Sequence, residues 1–197
     1  MRMSISVMAH PSREKFFPYL KEKLGDVPFS IDNGMGVWKN CKAAWAMHDP
    51  TADFHVVIQD DAIICENFKE IAERTISRNE EYAYGFYFGN RRNLRKAADE
   101  GMKRGFIISG WSTWGLALCL PTKIIGEMIK VCDRMEGDHD DTKIARFLKH
   151  KGIKTFFPMP SLIDHRIGEK SLVKDTAMGR RAWYFIDNEN KNKQKIN

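Results

Sequence analysis

Apolar and polar positions along this chain fall into short blocks whose period switches repeatedly between that of a strand and that of a helix. Ser4 to Ala9 reads as a strand, and Ser12 to Leu24 as a helix with Ser12 as N-cap and Gly25 as its stop. Phe29 to Asp32 is a second short strand. The turn Asn33-Gly34-Met35-Gly36 then leads into a helix whose Val37, Cys41, Ala44, Trp45 and His48 recur at helical spacing. Phe54 to Ile64 holds an apolar run of β-branched character that ends in Gln59-Asp60-Asp61, followed by a helix marked by Phe68, Ile71, Ala72, Thr75 and Ile76. Strands are expected again at Tyr82–Phe88, Phe106–Ser109, Leu116–Leu120 and Lys154–Phe157. Helices are expected over Ile124–Cys132 and from the Asp138-His139-Asp140-Asp141 cluster through Leu148.

Strands alternating with helices predict an α/β fold, a three-layer sandwich around a mostly parallel sheet. In such sheets ligands bind beyond the carboxyl ends of the strands, where Asp60 and Asp61 stand. Adjacent carboxylates repel, so both stay ionised only beside a cation, for which a hard divalent ion with oxygen ligands is the usual solution. The competing reading is a strand exit that is acidic because Asp favours turns.

The chain's 197 residues suffice for one α/β domain over residues 1–187, with no internal repeat or linker. Residues 188–197, almost wholly Asn, Lys, Gln and Glu, are too polar to pack and are expected to form a disordered basic tail. No stretch reaches the roughly 18 apolar residues of a membrane span, and the N-terminus lacks a secretory pattern, so a soluble cytoplasmic protein without a membrane partner is expected. Cys41, Cys65, Cys119 and Cys132 form no C-x-x-C pair and fit reduced core thiols. The formal net charge of +6 is uneven: Arg91, Arg92, Arg95, Lys96, Lys103 and Arg104 face only Asp99 and Glu100 within one segment. That segment is either a solvated face or a contact for phosphate, on a small anion or along a nucleic acid.

The order of landmarks resembles the nucleotide-sugar-dependent glycosyltransferases of the GT-A fold, from Ser4 to about Leu172. The landmarks are Met8-Ala9-His10-Pro11-Ser12-Arg13 after the first strand, the acidic triplet Gln59-Asp60-Asp61, the distal acids Asp138, Asp140 and Asp141, and the late histidine of Leu162-Ile163-Asp164-His165-Arg166. The resemblance implies a nucleoside diphosphate sugar as donor and a divalent metal, Mn²⁺ or Mg²⁺, held by Asp61 and His165. Imidazole among the ligands favours Mn²⁺. It also implies a catalytic base, Asp140 or Asp141 ahead of Asp138. The first position of the triplet is Gln59 where the family often has Asp, so any ribose contact there is amide-based. His10, Arg13, Asp32, Gln59 and Asp60 fall where the nucleotide binds in this family, and Arg166 and Lys170 where a diphosphate is clamped, with Gly168 as hinge.

The acceptor is then expected near Arg91, Arg92, Arg95, Trp111 and Trp114. A polyanionic acceptor explains the charge, and the compact chain with its Lys/Asn-rich end suits a phage or bacterial enzyme acting on hydroxylated DNA bases. A saccharide or lipopolysaccharide acceptor is the alternative. Each of these residues also has a structural explanation: Asp138 to Asp141 as helix N-terminal charges, Asp32 as a turn former, the tryptophans as core. Two further classes compete, a non-catalytic nucleic-acid-binding protein and a metal-dependent phosphohydrolase or nucleotidyltransferase. The lack of a P-loop and of a G-x-G-x-x-G turn argues against kinase and dinucleotide chemistry.

Overall fold

Nine short strands and six α-helices alternate in the computed structural model, which describes residues 1–78, 80–111, 114–137, 139–169, 172 and 179–188. The strands are β1 (Met3–Ala9), β2 (Phe29–Ile31), β3 (Phe54–Gln59), β4 (Ala62–Ile64), β5 (Ala83–Gly85), β6 (Phe106–Ser109), β7 (Ala117–Pro121), β8 (Thr155–Pro158) and β9 (Ile163–His165). The helices are α1 (Phe17–Leu24), α2 (Val37–Ala46), α3 (Phe68–Ile76), α4 (Arg95–Arg104), α5 (Thr122–Cys132) and α6 (Asp140–His150). Seven strands form one sheet in the order β2-β1-β3-β7-β5-β8-β6, and β4 pairs with β9 in a separate two-stranded ribbon.

The sheet is mixed, where the alternation of elements predicts a mostly parallel one. β1 runs parallel to β2 and β3, and β5 parallel to β8. β7 enters antiparallel between β3 and β5, and β6 lies antiparallel on β8. β6 and β7, successive in sequence but not neighbours in the sheet, thus both run against the other five strands.

Strand alternation divides the core. Val7, Val56, Ile58 and Cys119 point to the layer of Leu20 on α1 and Phe68, Ala72 and Ile76 on α3. Val57, Leu118 and Leu120 point to Trp45 on α2, Ile125 and Met128 on α5, and Ile144 and Phe147 on α6. Helices therefore cover both faces of the sheet. A third cluster, Phe88, Ala98, Phe157 and Met159, seats α4 at the far end.

Local differences from the sequence reading have local causes. Residues 12–24 are not one helix: a 3-10 segment, Pro11–Phe16, precedes α1, and Arg13 inside it departs from helical geometry (φ −113°, ψ 15°). Pro18 in the first turn of α1 has no N–H to continue an earlier helix. The cap is His10, whose ring nitrogen accepts from the Ser12 amide at 3.2 Å, so Ser12 is not the N-cap. The apolar run of residues 54–64 breaks at Asp60-Asp61 into β3 and β4. The basic segment contains a helix, α4, because Ala97, Ala98, Gly101 and Met102 turn a small apolar stripe inward beneath its charges.

Candidate functional site

Both acids that end β3 are buried, Asp60 at 2% and Asp61 at 1% exposure. The cation beside them is a guanidinium. Arg13 Nη1 lies 2.8 Å from Asp60 Oδ1, and Arg13 Nη2 lies 3.1 Å from Asp61 Oδ2. The kinked 3-10 segment after β1 delivers this side chain, and the His10 amide donates to Asp60 Oδ2 at 2.7 Å. The first-strand turn and the acidic triplet are thus one unit. Burial pushes the Asp60 carboxyl up, opposed by Arg13 and the His10 amide.

Asp61 has three cationic or hydrogen-bonding neighbours. His165 Nδ1 is 3.4 Å from Asp61 Oδ2, and Arg180 Nη2 is 3.5 Å from the same oxygen. Burial alone would raise this carboxyl, but the hydrogen bond and charge of His165, with Arg13 and Arg180, hold it below its ordinary value. Its other oxygen, Oδ1, is buried without a hydrogen-bond partner among the described residues. His165 is fixed by the β4–β9 ribbon and by the Tyr87 ring edge-on at 5.0 Å.

These groups line a cleft of about 460 Å³ at the carboxyl ends of β1 and β3. It collects His10, Arg13, Asp32, Gln59, Asp60, Asp61, Arg91, Trp114, Asp140, Asp141 and His165 from the residues singled out in the sequence. Asp32 is also a turn former: its Oδ1 accepts from the amides of Gly34, Met35 and Gly36 at 3.0, 2.7 and 3.3 Å. Across from the triplet, Asp140 opens α6, 9% exposed, with its carboxyl raised to about 6, first by burial and then by the charge of Asp141. Gly115 fits between these groups: a Cβ there would lie 3.2 Å from Gln59 Nε2 and 3.3 Å from Asp140 Oδ2.

No family model matches the sequence, and no curated protein matches it. The fold is similar to that of A197 from STIV. The alignment with that crystal structure has a TM-score of 0.52 at 13% identity, over 85% of this chain and 86% of that one. A protein of Bacillus anthracis assigned as a glucose-1-phosphate thymidylyltransferase, solved with a sucrose, aligns at a TM-score of 0.46 and 11% identity, over 83% of this chain and 89% of that one. At such identities the first likeness speaks for an α/β fold of this topology and for nothing finer.

Of the residues singled out in the sequence, Arg92, Arg95, Lys96, Lys103, Arg104, Trp111, Arg166 and Gly168 do not line the cleft. Arg95 is held by Asp99 at 2.9 Å and stacks on Trp183, and the exposed Trp111 has Lys149 Nζ 5.6 Å from its ring centre. Arg92 is exposed, and Arg166 lies between the rings of Phe16 and Tyr19, 4.3 Å from each centre. Asp138, Lys170 and residues 189–197 of the expected tail lie outside the described residues.

The cleft also contains residues that the sequence reading passed over. Arg180 and Tyr87 are brought in because residues 181–183 hydrogen-bond alongside residues 88–90: Asn90 N donates to Arg181 O at 2.8 Å and Trp183 N to Phe88 O at 3.2 Å. The doublet Arg180-Arg181 was the available signal. Asn40, a polar position on the apolar face of α2, was another, and it ties β1 to β2 by donating to Ala9 O and accepting from Ser30.

Proposed function

We propose that this chain is a glycosyltransferase that moves a sugar from a nucleoside diphosphate to an acceptor hydroxyl. The observation that carries the reading is that one cleft holds Arg13 and Arg180 around Asp61, with His165 beside them, together with the acids Asp140 and Asp141. Its volume, about 460 Å³, suits a small ligand held largely out of water.

In this reading His10, Arg13, Asp32 and Gln59 contact the nucleotide, and Arg180 lies where diphosphate charge is received. The reading includes a divalent ion: with His165 neutral and its Nδ1 turned from Asp61 Oδ2 to the ion, that nitrogen and the unpartnered Asp61 Oδ1 would offer a pairing that suits Mn²⁺, and since no group of three or more His, Cys, Asp or Glu gathers among the described residues, ligand oxygens would complete its shell. A bound ion of this kind would neutralise the departing diphosphate as a Lewis acid. Asp140 serves as base. With a carboxyl raised to about 6 it is mostly ionised at neutral pH and still a useful proton acceptor. The acceptor oxygen bonds to the anomeric carbon, the bond from that carbon to the phosphate oxygen breaks, the hydroxyl proton passes to Asp140, and the nucleoside diphosphate leaves. Asp141, half-buried beside it, orients the acceptor.

The test is thermal shift with a panel of nucleoside diphosphates, with and without Mn²⁺, on the wild type and on Asp61→Ala, since a ligand bound only to folded protein raises its melting point. One nucleotide should stabilise the wild type in a metal-dependent way and leave the variant unmoved. Sugar donors should then release nucleoside diphosphate. Release of pyrophosphate would point to nucleotidyl transfer, and no response to any nucleotide would sink the reading.

A further inference from the structure

We infer that the cleft opens onto a surface that takes a single-stranded nucleic acid as acceptor. The inference depends on the proposed glycosyl transfer for its reaction, while its evidence is the surface outside the nucleotide contacts.

Arg91 is exposed and lines the cleft, its guanidinium carbon 5.7 Å from the centre of the Trp114 ring. From there the chain passes through the exposed Arg92, in a 3-10 turn, into α4 with Arg95, Lys96, Lys103 and Arg104 exposed. Only Asp99 and Glu100 oppose them, and Asp99 is engaged by Arg95 and by the Tyr184 hydroxyl. Among the described residues no acid forms a salt bridge with Arg91, Arg92, Lys96, Lys103 or Arg104. A second, distant segment adds to the same rim. Gly89 bridges to Ala182, which sets the one-third-exposed Arg180 beside the Asn90-Arg91 corner. Two separate stretches of chain thus each bring a cation to one cleft mouth, Arg91 and the Asp61-paired Arg180, and α4 extends the positive strip beyond it with Glu100 as the one acid besides Asp99 among Lys96, Lys103 and Arg104. That is the footprint of a phosphate backbone.

Aromatic rings lie under these cations. Arg95 stacks on Trp183 at 4.6 Å, and Trp114 is clamped by Tyr87, Phe88 and Phe157. Gly89 leaves Trp114 its place, because a Cβ there would lie 2.5 Å from the indole nitrogen. Trp114 lines the same cleft as Asp140 and Asp141, so the ring and the Arg91 guanidinium over it offer one base a stacking surface, and stacking of this kind tolerates any sequence. The acids sit inside the cleft, so a base in a duplex would first have to leave its stack, a cost that a single strand avoids. The step is the one above, with a hydroxyl of the strand as nucleophile and its proton passing to Asp140.

The test is fluorescence anisotropy of a labelled homopolymeric single strand across a salt series, with wild type and with Arg92→Ala/Lys96→Ala/Lys103→Ala, three exposed positions outside the cleft. Log affinity should fall linearly with log salt. The triple variant should bind at least tenfold more weakly at low salt, with a slope shallower by about 2, since each phosphate contact to a single strand contributes roughly 0.7. No binding, an unchanged slope in the variant, duplex bound as tightly as single strand, or a preference for anionic lipid vesicles that the strand cannot displace would each overturn the inference. Nucleoside diphosphate thermal shift on the same proteins separates the two readings. A shift kept in the triple variant with strand binding weakened supports this surface. Strand binding without any nucleotide shift would count against glycosyl transfer and leave the nucleic-acid surface standing.

Discussion

His165 presents its Nδ1 to Asp61 Oδ2 at 3.4 Å although the two residues are far apart in sequence. The β4–β9 ribbon makes this contact: Ala62 and His165 are cross-strand partners, and the Arg166 amide closes back on Asp61 O at 3.0 Å. The late histidine is therefore a backbone-positioned neighbour of the acidic turn. Backbone pairing thus holds both residues in place, and the first consequences follow from them.

Asp61→Asn keeps the shape and removes the charge. It should abolish any Mn²⁺-dependent part of nucleotide stabilisation, because the amide oxygen is a weaker donor and His165 alone does not hold a hard ion. It also removes one of the two carboxylates that pair with Arg13, and unbalancing a buried ion cluster costs about 3–5 kcal/mol in other proteins. Urea unfolding should show that loss, and isothermal titration with Mn²⁺ plus nucleotide should show no metal dependence. A variant that retains the full metal response would remove Asp61 from the site.

Much of this arrangement was legible in the sequence, for physical reasons. The run Phe54–Ile58 is buried on both strand faces because helices cover both sides, and the polar triplet that stops it marks the strand end. The acids that open α6 could be singled out as a cluster at a helix N-terminus, and His165 through the resemblance to GT-A glycosyltransferases. What could not be read was partnership at long range. The sequence argument called for a cation beside Asp60 and Asp61, and nothing in the spacing says that Arg13 supplies one through a kinked 3-10 turn. Arg180 was hidden for the same reason: its place depends on the pairing of residues 181–183 with residues 88–90, which no local pattern encodes. The antiparallel entry of β7 also turns on tertiary packing.

Asp140→Asn should stabilise the protein while disabling it. A carboxyl raised to about 6 when folded binds its proton more tightly than in the unfolded chain, so this group's contribution to stability falls as pH rises from about 4 to 6 and stays lost above that. The full effect is roughly 3 kcal/mol, an upper bound on what the neutral amide recovers at pH 7. Removal of a general base lowers turnover by about 10²- to 10⁴-fold, and wild-type activity should rise with pH through about 6. Calorimetric melting and a pH–rate profile check both parts. An unchanged rate would assign Asp140 to the helix N-terminus and nothing more.

His55 should set a pH dependence of opposite sign. It is fully buried on β3 between two hydroxyls, Ser4 Oγ 2.8 Å from Nδ1 and Ser6 Oγ 3.0 Å from Nε2. Burial lowers its pKa to about 4, so the folded state holds the ring neutral. Its contribution is complete above about 6.5 and is lost as pH falls from there towards 4, because the unfolded chain then binds the extra proton. At pH 5 the loss is about 2 kcal/mol, partly masked by the gain from Asp140. Urea unfolding at pH 7.5 and pH 5 should therefore show a steeper acid loss in Asp140→Asn than in the wild type, and a shallower one in His55→Gln. Equal slopes in all three proteins would contradict the assignment.

Gly115→Ala should act on catalysis with little effect on stability. The backbone at Gly115 carries no positive φ, so alanine is conformationally acceptable there. The new Cβ would lie 3.2 Å from Gln59 Nε2, 3.3 Å from Asp140 Oδ2 and 3.4 Å from the Asp141 Cβ, which forces shifts of a few tenths of an ångström on side chains that line the cleft. Misplacing a catalytic group by about 1 Å can cost a hundredfold in rate, so this smaller displacement should reduce kcat about tenfold. The melting point should move by less than about 1 kcal/mol of stability implies, as expected away from a packed core. Steady-state kinetics beside thermal melting decides the matter. A lowered melting point with unchanged kcat would show that the gap at Gly115 serves packing, and that Gln59 and Asp140 do not act on a shared substrate.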